Sequence, residues 1–300
     1  MTLPADLPRL PERRRDTSKR DYGRVVVVGG SAGMAGAPAL AARAALRSGA
    51  GLVEIVAPEG AAAVAAAFDP CVMTRAAPAA ADGAFATAAG DAVMARVASA
   101  DAVAVGPGIG RSDAVRHLVL RLWRELPQAA VFAADALWAL AQVPAADRRR
   151  HAGPRVLTPH AGEMARLLGA AADGPAARDR DGLERAAAEM AAASDAVVVL
   201  KGVDTLVVDA RERARNETGN PGMATAGTGD VLTGVAAALL AQGLAPFAAA
   251  RLAAWVHGRA GDAAAHDLGQ VSMTARDLLD RLHVACGEVS SAVRPGSRSG

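Results

Sequence analysis

"GMATAGTGDVLTG" occupies Gly222–Gly234, and its small residues lead into Asp230 and then an apolar run, "VLTGVAAALLAQ". A helix starting near Asp230 aims its unpaired N–H groups, and the positive end of its dipole, at the loop before it. Glycines let an anion approach that backbone closely, so the stretch reads as a phosphate site at a helix N-terminus. A carboxylate repels phosphate, so Asp230 needs another role. It is either an N-cap, for which Asp is well suited, or a base that takes a proton from a hydroxyl attacking phosphorus. Capping alone does not call for the preceding "ATAGTG", which favours the base. A helix end gives only about 0.3–1 kcal/mol to an exposed anion, while each tenfold in rate needs about 1.4 kcal/mol. Further donors and Mg²⁺ are therefore expected beside the loop.

Working outward, short β-branched runs recur: "RVVVVGG" (24–30), "GLVEIVAP" (51–58), "DAVAVGPG" (101–108), "AAVFAAD" (129–135), "RVLTP" (155–159) and "AVVVLKG" (196–202). Such continuous apolar runs suit strands buried on both faces. Helix-like stretches separate them, at roughly 36–48, 60–67, 90–98, 112–125, 160–169 and 181–193. The alternation predicts an α/β fold with a mostly parallel central sheet and helices on both faces. "TLVVD" (205–209) follows too closely for a crossover helix and reads as an antiparallel partner. After Asp230 helix follows helix, one opened by Pro246 in its first turn and one by Thr274 with Asp277 three on.

Residues 1–22 read as a flexible arm, 23–290 as a single domain and 291–300 as a tail. Net charge is +2, with seven Lys/Arg and four acids in residues 1–24, which leaves 26 basic and 27 acidic residues elsewhere. A balanced body argues against nucleic-acid binding, and Arg13–Arg15 read as part of a solvated arm. Two distant cysteines, Cys71 and Cys286, suggest neither a disulfide framework nor a zinc site. No apolar run of about 18 residues predicts a membrane span, and a cytoplasmic location is expected.

Polar and glycine residues gather where these strands end, the edge at which parallel sheets bind ligands. "GGSAGMAG" (29–36) has the spacing GxxGxxG rather than GxGxxG, and Glu54 lies inside a strand, so a dinucleotide fingerprint is disfavoured. "GPGIG" (106–110) is either a plain βα loop or a binding loop. In "TPHAGE" (158–163), His160 is either a satisfied buried histidine or a ligand contact, and Glu163 faces the same side of the nascent helix. "LKGVDT" (200–205) is either a solvated turn or a nucleotide contact with Lys201 near phosphates.

In this order "YGRVVVVGGS", "GAPALAARAALRSGAGLV", "GPGIG", "LTPHAGEMARLL", "VLKGVDTLV", "NETGNPGMATAGTGDVLTG" and "HGRAGD" resemble the ADP-dependent NAD(P)H-hydrate dehydratases, a branch of the ribokinase-like fold, over most of the chain. The resemblance implies a ribokinase-like three-layer sandwich. It implies ADP-dependent dehydration of the S-epimer of hydrated NADH or NADPH, with ATP as the alternative donor. By the same resemblance Ala37, Gly106, Gly108, Gly110, His160 and Asp230 would contact the hydrated cofactor. Lys201, Gly202, Val203, Asp204, Thr205, Asn220, Gly227, Thr228 and Gly229 would contact the adenine nucleotide. Asp230 would be the base, and Glu163 would place Mg²⁺ through water. Kinases of the fold usually carry Asn-x-x-Glu where this chain has His160-x-x-Glu163.

Met34, Ala133 and "SKRDYG" depart from the family pattern, where Tyr, Asp and His-Lys-Gly are usual. A separate epimerase chain and a homotetramer are also implied. The competing readings are a vitamin-precursor kinase of the same fold and a non-catalytic dinucleotide-binding protein.

Overall fold

The computed structural model describes residues 3–291. Its strands are β1 (Arg24–Val28), β2 (Leu52–Pro58), β3 (Met73–Ala77), β4 (Ala102–Val105), β5 (Ala129–Phe132), β6 (Arg155–Leu157), β7 (Val197–Leu200), β8 (Thr205–Val208) and β9 (Arg213–Asn216). They form one sheet in the order β3-β2-β1-β4-β5-β6-β7-β8-β9. Pairing is parallel from β3 to β7, and β8 and β9 are antiparallel additions.

The helices are α1 (Gly36–Arg47), α2 (Glu59–Ala65), α3 (Ala89–Val97), α4 (Asp113–Glu125), α5 (Asp135–Ala141), α6 (Ala161–Leu167), α7 (Arg180–Ser194), α8 (Thr228–Ala241), α9 (Pro246–Leu268) and α10 (Ala275–Ser291). Alternate strand residues face opposite layers. Val25, Val27, Val197 and Val199 pack with α1, α8, α9 and α10; Val26, Val28, Val198 and Leu200 pack with α3 to α7. The sandwich is the three-layer arrangement expected of the sequence.

Helix α8 is the keystone of one layer. Every residue from Val231 to Leu240 is buried. It crosses α1 so closely that a Cβ on Gly234 would lie 1.9 Å from the carbonyl oxygen of Ala41 and 2.9 Å from Cβ of Ala44. The alanine richness of α1 has a packing role here, because small side chains allow two backbones to touch. Gly234→Ala is expected to force the helices apart and destabilise the fold by about 1–3 kcal/mol or more, read as a lower urea midpoint at unchanged m.

The segment before β1, read as a flexible arm, lies against the body. Leu7 and Tyr22 are buried. Arg251 holds Asp6 through its carboxylate at 2.7 Å and its carbonyl at 2.9 Å. Ser18 caps a 3-10 turn over Lys19–Tyr22, and the Arg13 guanidinium sits 3.6 Å from the Tyr22 ring centre. The segment docks because its apolar residues find a face to cover, which its charge and proline content hid. Apart from Ser291, which ends α10, the tail expected at 291–300 lies outside the described residues. Among the described residues no helix is long and apolar enough to cross a membrane.

Candidate active site

The strand order reverses between β1 and β4, so a crevice opens at their carboxyl ends. The two glycine loops meet there. Gly30 N–H donates to Pro107 O at 2.9 Å, and Ser31 Oγ donates to Gly108 O at 2.9 Å. Gly106 adopts φ +122°, and a Cβ on it would fall 1.9 Å from Ala133 O. Gly108, at φ +60°, would place a Cβ 3.1 Å from that of Ala37. The structure thus brings Ala37, Gly106 and Gly108 together, with Gly110 packed toward Ser31. Glu54, by contrast, is fully buried and bound by Arg24, Arg75 and Arg96. Burial pushes its carboxyl up, but Arg96 and Arg24 more than reverse this and hold it below the usual range. It is unavailable to a ribose.

Beyond β6, His160 is the N-cap of α6. Its Nδ1 accepts from Gly162 N–H at 3.0 Å and Glu163 N–H at 3.3 Å, while Glu163 Oε2 accepts from His160 N–H at 2.8 Å. This is a capping box closed by an imidazole. A ring nitrogen that accepts two N–H groups carries no proton, so His160 is neutral with its proton on Nε2. Burial, aided by Lys201 and Arg166 and opposed by Glu163, lowers its pKa. Glu163 is buried, and Lys201 Nζ lies 3.5 Å from its Oε2.

Lys201, at the end of β7, links Glu163 to the glycine loop. Its Nζ lies 3.2 Å from where a Cβ on Gly229 would stand. The ammonium therefore rests over the N-terminus of α8. That helix begins at Thr228 with Gly227, at φ +91°, as its N-cap, two residues earlier than the sequence reading placed it. Asp230 is thus not the N-cap; it belongs to the first turn. The backbone N–H groups of Thr228 and Gly229 find no acceptor among the described residues.

The Asp230 carboxylate likewise accepts no hydrogen bond from the described residues. Burial raises its pKa to about 7, against Lys201, which lowers it; Glu163 and Asp135 add to the rise. Partial withdrawal from water favours the neutral form of this carboxyl. An unpaired carboxylate with raised proton affinity, beside an ammonium and two free N–H groups, can accept a proton while a phosphoryl group is held next to it.

Other expected contacts are placed differently. Asn220 uses its side chain within the loop, accepting from Gly222 N–H at 3.0 Å and donating to Asp262 at 3.1 Å. Thr228 Oγ1 donates to Met223 O and Thr225 O. Both residues shape the loop through their side chains. Gly202–Thr205 continue from Lys201 into a hairpin. Thr205 Oγ1 donates to Gly202 O at 3.0 Å, Arg180 donates to Asp204 O at 3.1 Å, and Val203 is exposed at the tip. No hydrogen bond joins this hairpin to Asp230 among the described residues.

Sequence reasoning passed over Arg180, which grips the hairpin, and Arg111, which donates to Asp135 at 2.7 Å. Position supplied the available signal: Arg111 directly follows "GPGIG".

A model of the NAD(P)H-hydrate dehydratase family matches residues 25–283. The chain belongs to this family. It is 47% identical over 274 residues to the bifunctional NAD(P)H-hydrate repair enzyme Nnr of Moorella thermoacetica, covering 91% of this chain and 51% of that protein. It is 36% identical over 275 residues to the enzyme of the same name from Escherichia coli, with 91% and 49% covered. The chain therefore spans about half the length of the curated relatives it matches. An ADP/ATP-dependent NAD(P)H-hydrate dehydratase from Bacillus subtilis, crystallised with ATP and Mg²⁺, superposes with TM-score 0.78 at 26% identity, covering 96% of this chain and 100% of that one. A ribokinase from Thermotoga maritima, at 15% identity and TM-score 0.53 over 87% of this chain and 99% of its own, shares the fold. The family and the ribokinase-like fold expected from the sequence are both established.

Proposed function

We propose that the chain dehydrates the S-epimer of hydrated NADH or NADPH at the expense of ADP, releasing AMP and phosphate. The observation that carries the mechanism is the unpartnered Asp230 carboxylate beside Lys201 and the free N–H groups of α8. Asp230 takes the proton of the ring hydroxyl, whose oxygen then bonds to the terminal phosphorus of the nucleotide as the bond to AMP breaks. Lys201 and the N–H groups of Thr228 and Gly229 face the charge that builds on the phosphoryl oxygens. The phosphate ester then leaves the ring with loss of a neighbouring ring hydrogen as a proton, restoring the reduced nicotinamide. Phosphate departs far more readily than hydroxide, which explains a kinase-like site in a hydro-lyase.

Mg²⁺ bound with the nucleotide would neutralise phosphate charge. The donor set fits that role. Among the described residues no group of three His, Cys, Asp or Glu side chains could hold a metal alone. A Mg²⁺ carried on phosphates and water beside one or two carboxylates needs none, and Glu163 would meet its water. Likeness to the family supports the remaining parts of the reading: a cytoplasmic location and a homotetramer.

The purified chain, given S-epimer NADPH hydrate, Mg²⁺ and either ADP or ATP, is expected to regenerate the absorbance band of reduced nicotinamide. Absence of that band with both nucleotides would sink the proposal. A stable phosphorylated product from a vitamin-precursor alcohol would instead make the chain a kinase.

A further inference from the structure

The motif "HGRAGD" has no role in the mechanism above, yet it lies on α9 directly beneath the catalytic loop. His257 Nε2 donates to Thr228 O at 2.8 Å. That carbonyl and the N–H of Gly229 belong to one planar, trans peptide unit, so fixing the oxygen aims the N–H the opposite way. One turn on, Asp262 accepts from Gly219 N–H at 3.0 Å and from Asn220 Nδ2 at 3.1 Å.

The rest of the strip is built for close approach. A Cβ on Gly258 would fall 2.3 Å from Thr218 Oγ1, and one on Gly261 would fall 2.3 Å from Met223 Sδ. Thr218 Oγ1 donates to Trp255 O at 3.0 Å, and Asn216 Nδ2 donates to Ala254 O at 3.2 Å. Both ends of the loop that joins β9 to α8 are thus tied to one face of one helix.

We infer that His257 and Asp262 are positioning residues for phosphoryl transfer: His257 orients the Gly229 N–H toward the transferring phosphate, and Asp262 shapes the entry of the loop for the nucleotide. The inference rests on the proposed reaction and adds a division of labour to it. Burial holds the His257 pKa down to about 4, aided by Lys201 and opposed by the Thr228 contact, so the anchor stays neutral throughout the working range. Among the described residues, the charged group that acts on it from a packed element is Lys201, which follows β7.

The test compares His257→Leu, His257→Gln, Asp262→Ala and Asp262→Asn for hydrate turnover, for ADP affinity by calorimetry and for melting temperature. His257→Leu is expected to lower kcat about tenfold or more, since a misplacement of about 1 Å can cost a hundredfold, with little change in ADP Kd. His257→Gln, which keeps a terminal N–H donor, is expected to recover part of that loss. Asp262→Ala is expected to raise ADP Kd about tenfold with a smaller change in kcat, and Asp262→Asn to fall between it and the wild type.

A folded His257→Leu with wild-type kcat, or equal loss in the Leu and Gln variants, overturns the role of His257. If His257→Leu does not fold, the pair His257→Gln and Asp262→Asn decides. Wild-type kcat and Kd in both of these overturn the inference, and the kcat–Kd split supports it. A wild-type chain that binds ADP but leaves the hydrate unchanged sinks the proposed reaction instead, and the Asp262 affinities still judge the loop.

Discussion

Asp230→Asn is expected to lower kcat by about 10²–10⁴-fold, the range that a positioned general base contributes, and at the same time to make the protein more stable. The first effect follows from removing the proton acceptor without disturbing the loop, since Asp230 is not the cap of α8. The second follows from its pKa. Burial raises it from 3.8 to about 7, so the native state binds the proton more tightly than the unfolded state does. Stability then falls as pH rises from 3.8 to about 7, and the full penalty persists above that. At about 1.4 kcal/mol per pH unit the interval bounds the penalty at about 4 kcal/mol, which water reaching the half-buried carboxylate reduces.

The amide carries no such penalty. Its melting temperature should exceed the wild type's at pH 8 and converge with it toward pH 4. The wild type's kcat/KM should drop about tenfold per pH unit below about 7 as the base becomes protonated. An inactive variant with no gain in stability at pH 8 would show that the carboxylate is not desolvated. An active variant would remove it from the chemistry.

Lys201→Met is the second large effect. It removes the side-chain cation that rests over the α8 N-terminus and is expected to cost about 10²–10³-fold in kcat, as loss of a single oxyanion donor does. It also predicts a shift of the pH profile. Lys201 lowers the proton affinity of Asp230, so its loss moves the acid limb to higher pH and raising the pH recovers part of the rate. Lys201→Arg should rescue poorly, because a planar guanidinium demands more room than a point ammonium where Nζ is 3.2 Å from the Cβ position of Gly229. A profile unshifted in Lys201→Met would separate the lysine from the base.

The central strands were legible because "VVVV" and "VVVL" are buried on both faces, a condition that admits few other residues. Edge strands β3 and β9 were not legible. "MTRAA" and "RARN" are largely exposed and carry no apolar run, and only their neighbours' unpaired N–H and C=O groups define them. The helix α5, "DALWALA", was not expected from the sequence; it starts at Asp135, the last residue of an expected strand, where Ala134 turns the chain at φ +49°.

At the site, the residues whose backbone the chemistry needs were visible as glycines. The roles of side chains that support them were not. His160 also caps its own helix through Nδ1, which requires knowing where α6 starts. Asn220 also donates to Asp262 across 42 positions of sequence.

The burial of α8 from Val231 to Leu240 has a consequence for how the chain fails on heating. Amides in such a helix exchange with solvent only when the whole domain opens, since no local fluctuation uncovers them. The proposed base, Asp230, and the N–H groups of Thr228 and Gly229 lie in the partly exposed first turn that leads into this buried run. The proposed catalytic geometry is therefore anchored on the domain's last-melting unit, and loss of activity on heating should trace the same single transition as loss of structure.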